Sequence, residues 1–256
     1  MDGIRILSVG AGKTVLAQPP EDPYYYACQR LRSGESFTPP ALDMMCVHMS
    51  PHYPANVTIT NGQMTLSPGD SFDAQGIAPS PWRANTDATV LVAGVKCGVQ
   101  ESTSRITRAG EHYRVNKPWG HELWLNGENP VFIFKEVHIK SGHQTSLQYH
   151  HFKEETSLLL VGETTLVYKR AANVTNDDVR AEDLGEELLP PGTALHVKPP
   201  ALHRLRARTD IYSYEVTTPF NDDIIRVSDD SGRPHGRIAS EHASSASAGR
   251  VQRPCA

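Results

Sequence analysis

Four side chains in this sequence have the types and spacing to hold a divalent metal ion. Three lie in one stretch, Ser146 to Gly162, which reads S-L-Q-Y-H-H-F-K-E-E-T-S-L-L-L-V-G. Gln148 and His150 are two residues apart, and on a strand such residues point to the same face. Glu155 follows five residues later, beyond a short polar turn. A fourth ligand must come from a distant strand, and His203, just past Pro199-Pro200, is the candidate. One amide oxygen, two imidazoles and one carboxylate form a mixed N/O site for a borderline cation. Zn²⁺ is the first expectation, with Fe²⁺, Mn²⁺ and Ni²⁺ as alternatives. A position left open on the ion would accept water or a substrate oxygen. His151 is expected to face away from this site. Glu154 stands beside Glu155 as a competing carboxylate, and His196, before the Pro-Pro turn, reads as a strand residue.

The surrounding elements read as strands. Leu158 to Val161 is an apolar run ending at Gly162, and Thr164 to Arg170 is expected to pair back on it across Gly162-Glu163. Alternation in Phe132 to Ile139 puts Lys135 on a face with Ile133, Val137 and Ile139. Leu195 to Val197 and Tyr212 to Val216 are closing strands, and Asn173 to Glu187 reads as a polar loop. Residues 221–242 read as an irregular arm. Towards the N-terminus, Ile4 to Val9, Asn56 to Thr60, Met64 to Leu66 and Thr89 to Val95 are strand-like, with Asn61-Gly62 a hairpin signal. His48 and His52, around Pro51, read as loop histidines. Gly10-Ala11-Gly12-Lys13-Thr14 matches a phosphate loop only in part, because Leu7 stands where a further glycine is needed. The polar run 100–116 reads as a linker.

The spacing Gly142, five residues, Gln148-Tyr149-His150, four residues, Glu155, six residues, Gly162 resembles the first cupin motif. The departure is Gln148, where most cupins have histidine. Phosphomannose isomerases, and the cupin domain fused to mannose-1-phosphate guanylyltransferases, carry S-L-Q-x-H at this place. Leu189 to Leu205 resembles the second cupin motif, with His203-Arg204 as its H-R pair. Lys117-Pro118-Trp119-Gly120 is similar to an R-P-W-G entry, and Tyr214-Glu215-Val216 to I-E-V. Asp222-Asp223-Ile224-Ile225-Arg226 with Asp229 to Arg233 is similar to D-D-I-V-R…D-D-Y-G-R. The resemblance spans about 115–235. It also shows differences: Thr156-Ser157 stands where the family has His-Trp, Lys153 replaces an arginine, and Ser231 replaces a tyrosine.

The resemblance implies an all-β cupin, a jelly-roll barrel, with a bicupin carrying a degenerate N-terminal half as an open option. The expected domains are 1–105 (β-rich, without metal ligands), 106–240 (the metal-binding cupin) and 241–256 (a disordered tail). The implied activity is metal-dependent aldose–ketose isomerisation of a sugar phosphate, similar to that of mannose-6-phosphate isomerase. A phosphate needs fixed cations, and Lys135, Lys153, Arg226 and Arg233 are the candidates. Lys135, Glu215 and Arg226 are the catalytic candidates. An iron-dependent cupin dioxygenase and a non-catalytic sugar-binding cupin are the alternatives.

Composition narrows the partners. The 256 residues carry 25 basic and 29 acidic side chains, a balance that gives no support to nucleic acid or an anionic membrane as partner. No apolar run reaches the length of about 18 residues required to cross a membrane. The N-terminus lacks the basic and apolar regions of a secretory leader, so the expected location is cytoplasmic. Cys28, Cys46, Cys97 and Cys255 form no C-x-x-C and are expected to be free thiols. The 19 prolines and 19 glycines suit many short strands. A homodimer is an expected option.

Overall fold

The computed structural model describes residues 3–8, 22–52, 58–62, 64–99, 101–170 and 175–243. The Gly10–Thr14 stretch, Asn56-Val57, Cys255 and the tail from 244 lie outside these residues. In chain order the strands begin β1 (Ile4–Ser8), β2 (Tyr25–Leu31), β3 (Ser36–Phe37), β4 (Met44–Met49), β5 (Ile59–Thr60), β6 (Thr65–Leu66) and β7 (Ser71–Gln75). They continue with β8 (Trp82–Ala84), β9 (Ala88–Val95), β10 (Thr103–Thr107), β11 (Tyr113–Lys117), β12 (Gly120–Trp124), β13 (Ile133–Ile139) and β14 (Leu147–Tyr149). The last are β15 (Glu155–Val161), β16 (Thr164–Lys169), β17 (Leu184–Leu189), β18 (Thr193–Val197), β19 (His203–Ala207), β20 (Ile211–Thr217) and β21 (Ile225–Ser228). A single described α-helix, α1 (Ala239–Ala243), follows.

The chain forms two compact units. One comprises Met1–Val9, Arg114–Trp124 and Lys135–Ser247, and the other Gly10–Tyr113, Leu125–Phe134 and Ala248–Ala256. β1 therefore groups with the C-terminal part of the chain, where it pairs with β18. The N-terminal unit has a five-stranded sheet, β10-β7-β4-β9-β2, and a four-stranded sheet, β3-β8-β5-β6. Its core packs Met45, Val47, Met49, Phe72, Trp82, Val90 and Val92. The polar run expected to be a linker is instead strand on both sides of a turn. β10 pairs with β7 through Thr103 to Thr107, and its first residues stay exposed, as suits a polar edge strand. His48 is likewise not in a loop. It lies buried on β4, and its Nδ1 is 2.9 Å from Ser71 Oγ, which is 2.8 Å from His112 Nε2. Pro51 ends that strand only after Met49.

The C-terminal unit has a seven-stranded sheet, β1-β18-β15-β20-β13-β12-β11, and a five-stranded sheet, β17-β16-β19-β14-β21. Inner-face residues alternate along the strands. Val137, Ile139, Leu159, Leu166, Leu195 and Val197 form an apolar floor, and polar inner residues sit towards one end. Leu147, Tyr149 and Leu202 pack on the outer side of the smaller sheet with Ile225 and Val227.

Gly162 marks a crossing between these sheets. β15 pairs with β18 and β20, whereas β16 pairs with β17 and β19, so the expected β15–β16 hairpin does not form. Gly162 has φ +84°, and a Cβ there would lie 2.2 Å from the Asp210 carbonyl oxygen. Only glycine allows the chain to turn so closely into the other sheet. The stretch expected to be a polar loop to Glu187 contributes β17 from Leu184 onward, because Leu184, Leu188 and Leu189 give it a strand's apolar positions. The arm after Pro219 also contains regular structure, in β21 and α1.

Candidate metal centre and pocket

The two sheets of the C-terminal unit enclose a cavity, and the residues singled out by spacing converge on its wall. His150, Glu155 and His203 are buried, and one ligand atom from each lies within 4.8 Å of the others. Among the described residues no other group of three histidine, cysteine or acidic side chains comes together in this way. Gln148 lines the same cavity and is directly paired with His203 in the register of β14 and β19. His203 thus comes from the strand beside Gln148, not from a facing strand. Glu155 is the member that arrives from the opposite sheet.

Each imidazole is fixed through its other nitrogen. His150 Nδ1–H donates to the Asp223 carbonyl, and His203 Nδ1–H donates to the Ala201 carbonyl at 3.0 Å. Both rings therefore present Nε2 to the cavity, the orientation a carbonyl-supported metal ligand needs. His203 Nε2 is 2.7 Å and His150 Nε2 is 3.5 Å from the Glu155 carboxylate. His150 Nε2 is buried and has no hydrogen-bond partner among the described residues. Burial, with Lys153 nearby, lowers the His150 pKa and keeps the ring neutral, as a ligand must be. Burial opposes charge on His203, but the Glu155 carboxylate outweighs it and raises the pKa. Burial also opposes charge on Glu155, yet Lys153 and His203 hold its carboxyl well below the usual range. An orphaned imidazole nitrogen facing a charged carboxylate fits a bound cation. His150, Glu155 and His203 would hold it, with the Gln148 oxygen as fourth donor.

Asp223 builds the loop that carries His150. Its carboxylate accepts the backbone N–H groups of His151, Phe152 and Lys153, at 2.6–3.0 Å. Burial opposes its charge, but those three donors depress its pKa. His151 is exposed on this loop, away from the cluster. Glu154 also turns away, to 3.7 Å from His196 Nε2, and His196 Nδ1 is 2.6 Å from Thr156 Oγ1. His143 is exposed, with Nδ1 near the Ser141 carbonyl.

A continuous chain of ion pairs leads from the metal-binding cluster along the wall. Lys153 Nζ lies 2.5 Å from Glu155 Oε2 and 3.8 Å from Glu215. Glu155 Oε2 thus has its ionic partner in Lys153 and lies 3.5 Å from His150 Nε2. Lys135 is 3.2 Å from Glu215 and 3.7 Å from Glu122. Lys117 is 3.6 Å from Glu122 and 2.9 Å from Glu241. Burial alone would raise the Glu122 pKa, but Lys117 and Lys135 hold it well below the usual carboxylate range. Burial would likewise lower Lys135, and Glu122 and Glu215 raise it instead. Trp124 donates its Nε1–H to Glu122 and offers its ring to Lys135, 5.1 Å from the ring centre.

Arg226 and Arg233 lie on the pocket wall and converge on Ser146 Oγ, at 3.1 and 3.2 Å. Arg226 also donates to the carbonyls of Pro234 and Gly236, so much of its guanidinium holds the arm. Arg233 is paired with Asp229 at 2.7 Å and with Glu241 at 3.3 Å. Glu122, Glu241 and Ser146 were not singled out from sequence. Glu122 could have been noticed from alternation in Gly120–Trp124, next to the Lys117 motif. Glu241 lies 124 residues from Lys117 in the chain, and no local pattern joins them.

No protein-family model matches the chain, and no curated protein matches it in sequence. Solved structures do share its shape. An IolB-like protein from Salmonella typhimurium LT2 superposes with a TM-score of 0.63 at 14% identity, covering 93% of this chain and 98% of that one. Bacillus subtilis oxalate decarboxylase, studied for its Mn(II) centres, gives 0.56 at 12% identity, covering 88% and 74%. Streptomyces albus HEPD, with 2-hydroxyethylphosphonate and Fe(II) bound, gives 0.55 at 12%, covering 84% and 73%. Likeness at these identities defines the fold. The fold is an all-β cupin jelly roll, and two sheets in each unit accord with a bicupin. Cys28, Cys46 and Cys97 are free, and no described helix is long and apolar enough to cross a membrane.

Proposed function

We propose that the chain is a metal-dependent cupin enzyme that interconverts an aldose and a ketose phosphate. The observation that carries this reading is the buried His150–Glu155–His203 cluster, joined by ion pairs to Lys153, Glu215 and Lys135. Isomerisation needs a polarised carbonyl and a group that moves a proton between neighbouring carbons. A bound divalent ion supplies the Lewis acidity. Glu215, between Lys135 and Lys153, is the proposed proton carrier, and the lysines steady its charge. Arg226, Arg233, Lys135 and Lys153 are the proposed phosphate partners.

The similarity to phosphomannose isomerases in S-L-Q-x-H supports a sugar phosphate as substrate. Thr156-Ser157 and Ser231 alter the pocket wall relative to that family, so the proposal does not extend to mannose 6-phosphate in particular. Two oxygen donors make Mn²⁺ or Fe²⁺ as suitable as Zn²⁺. The proposed division follows the sequence limits, 106–240 binding metal and 1–105 serving as a degenerate partner half, except that β1 joins the metal-binding half by pairing with β18 and β10 stays with the N-terminal half. A cytoplasmic location and a homodimer belong to the same proposal.

The test is proton exchange. Protein loaded with Mn²⁺, Fe²⁺ or Zn²⁺ is incubated in D₂O with a panel of aldose and ketose phosphates and followed by NMR. Deuterium entering at C1 or C2 of one pair supports the proposal, and no exchange on any pair rejects it. A second reading, an iron-dependent dioxygenase, has the Fe(II)-bound HEPD likeness in its favour. Oxygen uptake by the anaerobically iron-loaded protein on adding hydroxylated phosphonates or sugars would select it.

A further inference from the structure

Ser213 has no role in the chemistry above, yet its surroundings are unusual. It sits on the inner face of β20, two residues before Glu215, and lines the cavity. It is 2% exposed, and its Oγ has no hydrogen-bond partner among the described residues. Its cavity combines apolar side chains with the polar groups of Ser157, Glu215 and Lys135. Leu159 stands opposite it on β15, and Val137, Ile139 and Leu195 line the same cavity. Leaving a buried hydroxyl unpaired costs about 1–3 kcal/mol, so its partner is to be sought in what enters the cavity.

We infer that Ser213 is a specificity-determining residue that hydrogen-bonds a hydroxyl of a polyhydroxylated carbon chain. This rests on the proposed function, which it deepens. A sugar chain in open form has C–H faces for Leu159, Val137 and Ile139 and hydroxyls for Ser213. Ser157 extends the polar strip towards the metal-binding cluster. It stands opposite Glu215 in the register of β15 and β20, and its Oγ–H donates to Glu215 Oε2 at 3.5 Å. Ser213, Glu215 and Ser157 therefore lie on one face. Ser213 at the end of this polar face would discriminate against deoxygenated substrates, whose binding would leave its hydroxyl unpaired.

The test uses meso-erythritol as probe, with wild-type protein and Ser213→Ala. Crystals soaked in erythritol should show a polyol oxygen within hydrogen-bond distance of Ser213 Oγ. NMR titration should show Ser213→Ala weakening erythritol binding by roughly five- to tenfold, the loss of one hydrogen bond. Without ligand, Ser213→Ala should melt at the same temperature as wild type or higher, because an unpaired buried hydroxyl has been removed. The inference is overturned if only ordered water contacts Ser213, if erythritol is absent or bound elsewhere, or if Ser213→Ala leaves affinity unchanged or lowers the melting temperature. A polyol on Ser213 with no deuterium exchange on any sugar phosphate would reject the proposed reaction and leave this inference standing.

Discussion

Glu155 and His203 meet from opposite sheets, with Oε1 2.7 Å from Nε2, and this contact closes the polar end of the jelly roll. Burial opposes charge on both groups, but Glu155 raises the imidazole's pKa and Lys153 with His203 lowers the carboxyl's, so the contact favours the charged pair. A divalent cation would take the place of the His203 proton. Binding is therefore expected to release protons and to weaken as pH falls.

Lys153 competes for the same carboxylate. Its ammonium is 2.5 Å from Glu155 Oε2, where it partly satisfies the charge a metal would neutralise. Lys153→Met should tighten metal binding by roughly tenfold, since it removes a like charge from the site. Sugar-phosphate turnover should fall in the same variant. Competition titration with a fluorescent chelator measures the first effect, and an unchanged metal affinity would contradict it.

Arg226→Lys should lower stability as well as substrate binding. Lysine keeps the charge but cannot reach Ser146, Pro234 and Gly236 together. The expected loss is about 1–3 kcal/mol, seen as a lower melting temperature with faster proteolysis after Ile225. A variant with wild-type melting and only a raised KM would show that the arginine acts on substrate alone.

His121 provides a pH dependence outside the pocket. Burial, with Arg114 and His138 nearby, pushes its pKa down to about 4, with Glu136 opposing and Lys140 adding a further like charge. Its Nδ1 is 3.3 Å from that of His138, which stacks on Tyr212. In the unfolded chain the imidazole titrates near its ordinary value of about 6.5. The unfolded state therefore binds more protons between these values, and this contribution to stability is complete above pH 6.5 and is lost as pH falls towards 4. His121→Gln should flatten the melting-temperature profile in that window. A profile identical to wild type would contradict the assignment.

Much of the metal-binding cluster was legible because three of its members fall within eight residues, Gln148 and His150 two apart at the end of β14 and Glu155 just beyond a short turn. His203 needed only the distant Pro-Pro turn. The sheet partners were less legible. Gly162 could equally end a hairpin or cross between sheets, and only its close approach to Asp210 decides this. His48 looked like a loop residue because Pro51 follows it, yet strand β4 ends before that proline. The ion-pair chain was hidden because Lys117, Glu122, Lys135, Glu215 and Glu241 come from separate strands and the arm. Ser213 looked like any strand serine, since sequence does not show that a hydroxyl lacks a partner.

Metal analysis of purified protein tests the central claim most directly. Wild type, His150→Ala, His203→Ala and His151→Ala are each loaded with Mn²⁺, Fe²⁺ or Zn²⁺, desalted and measured by mass spectrometry of the elements. The account predicts about one ion per chain in wild type and His151→Ala, by the one-site shell expected of this donor set, and little in His150→Ala and His203→Ala. Full occupancy in both His150→Ala and His203→Ala, or loss of metal in His151→Ala alone, would contradict it.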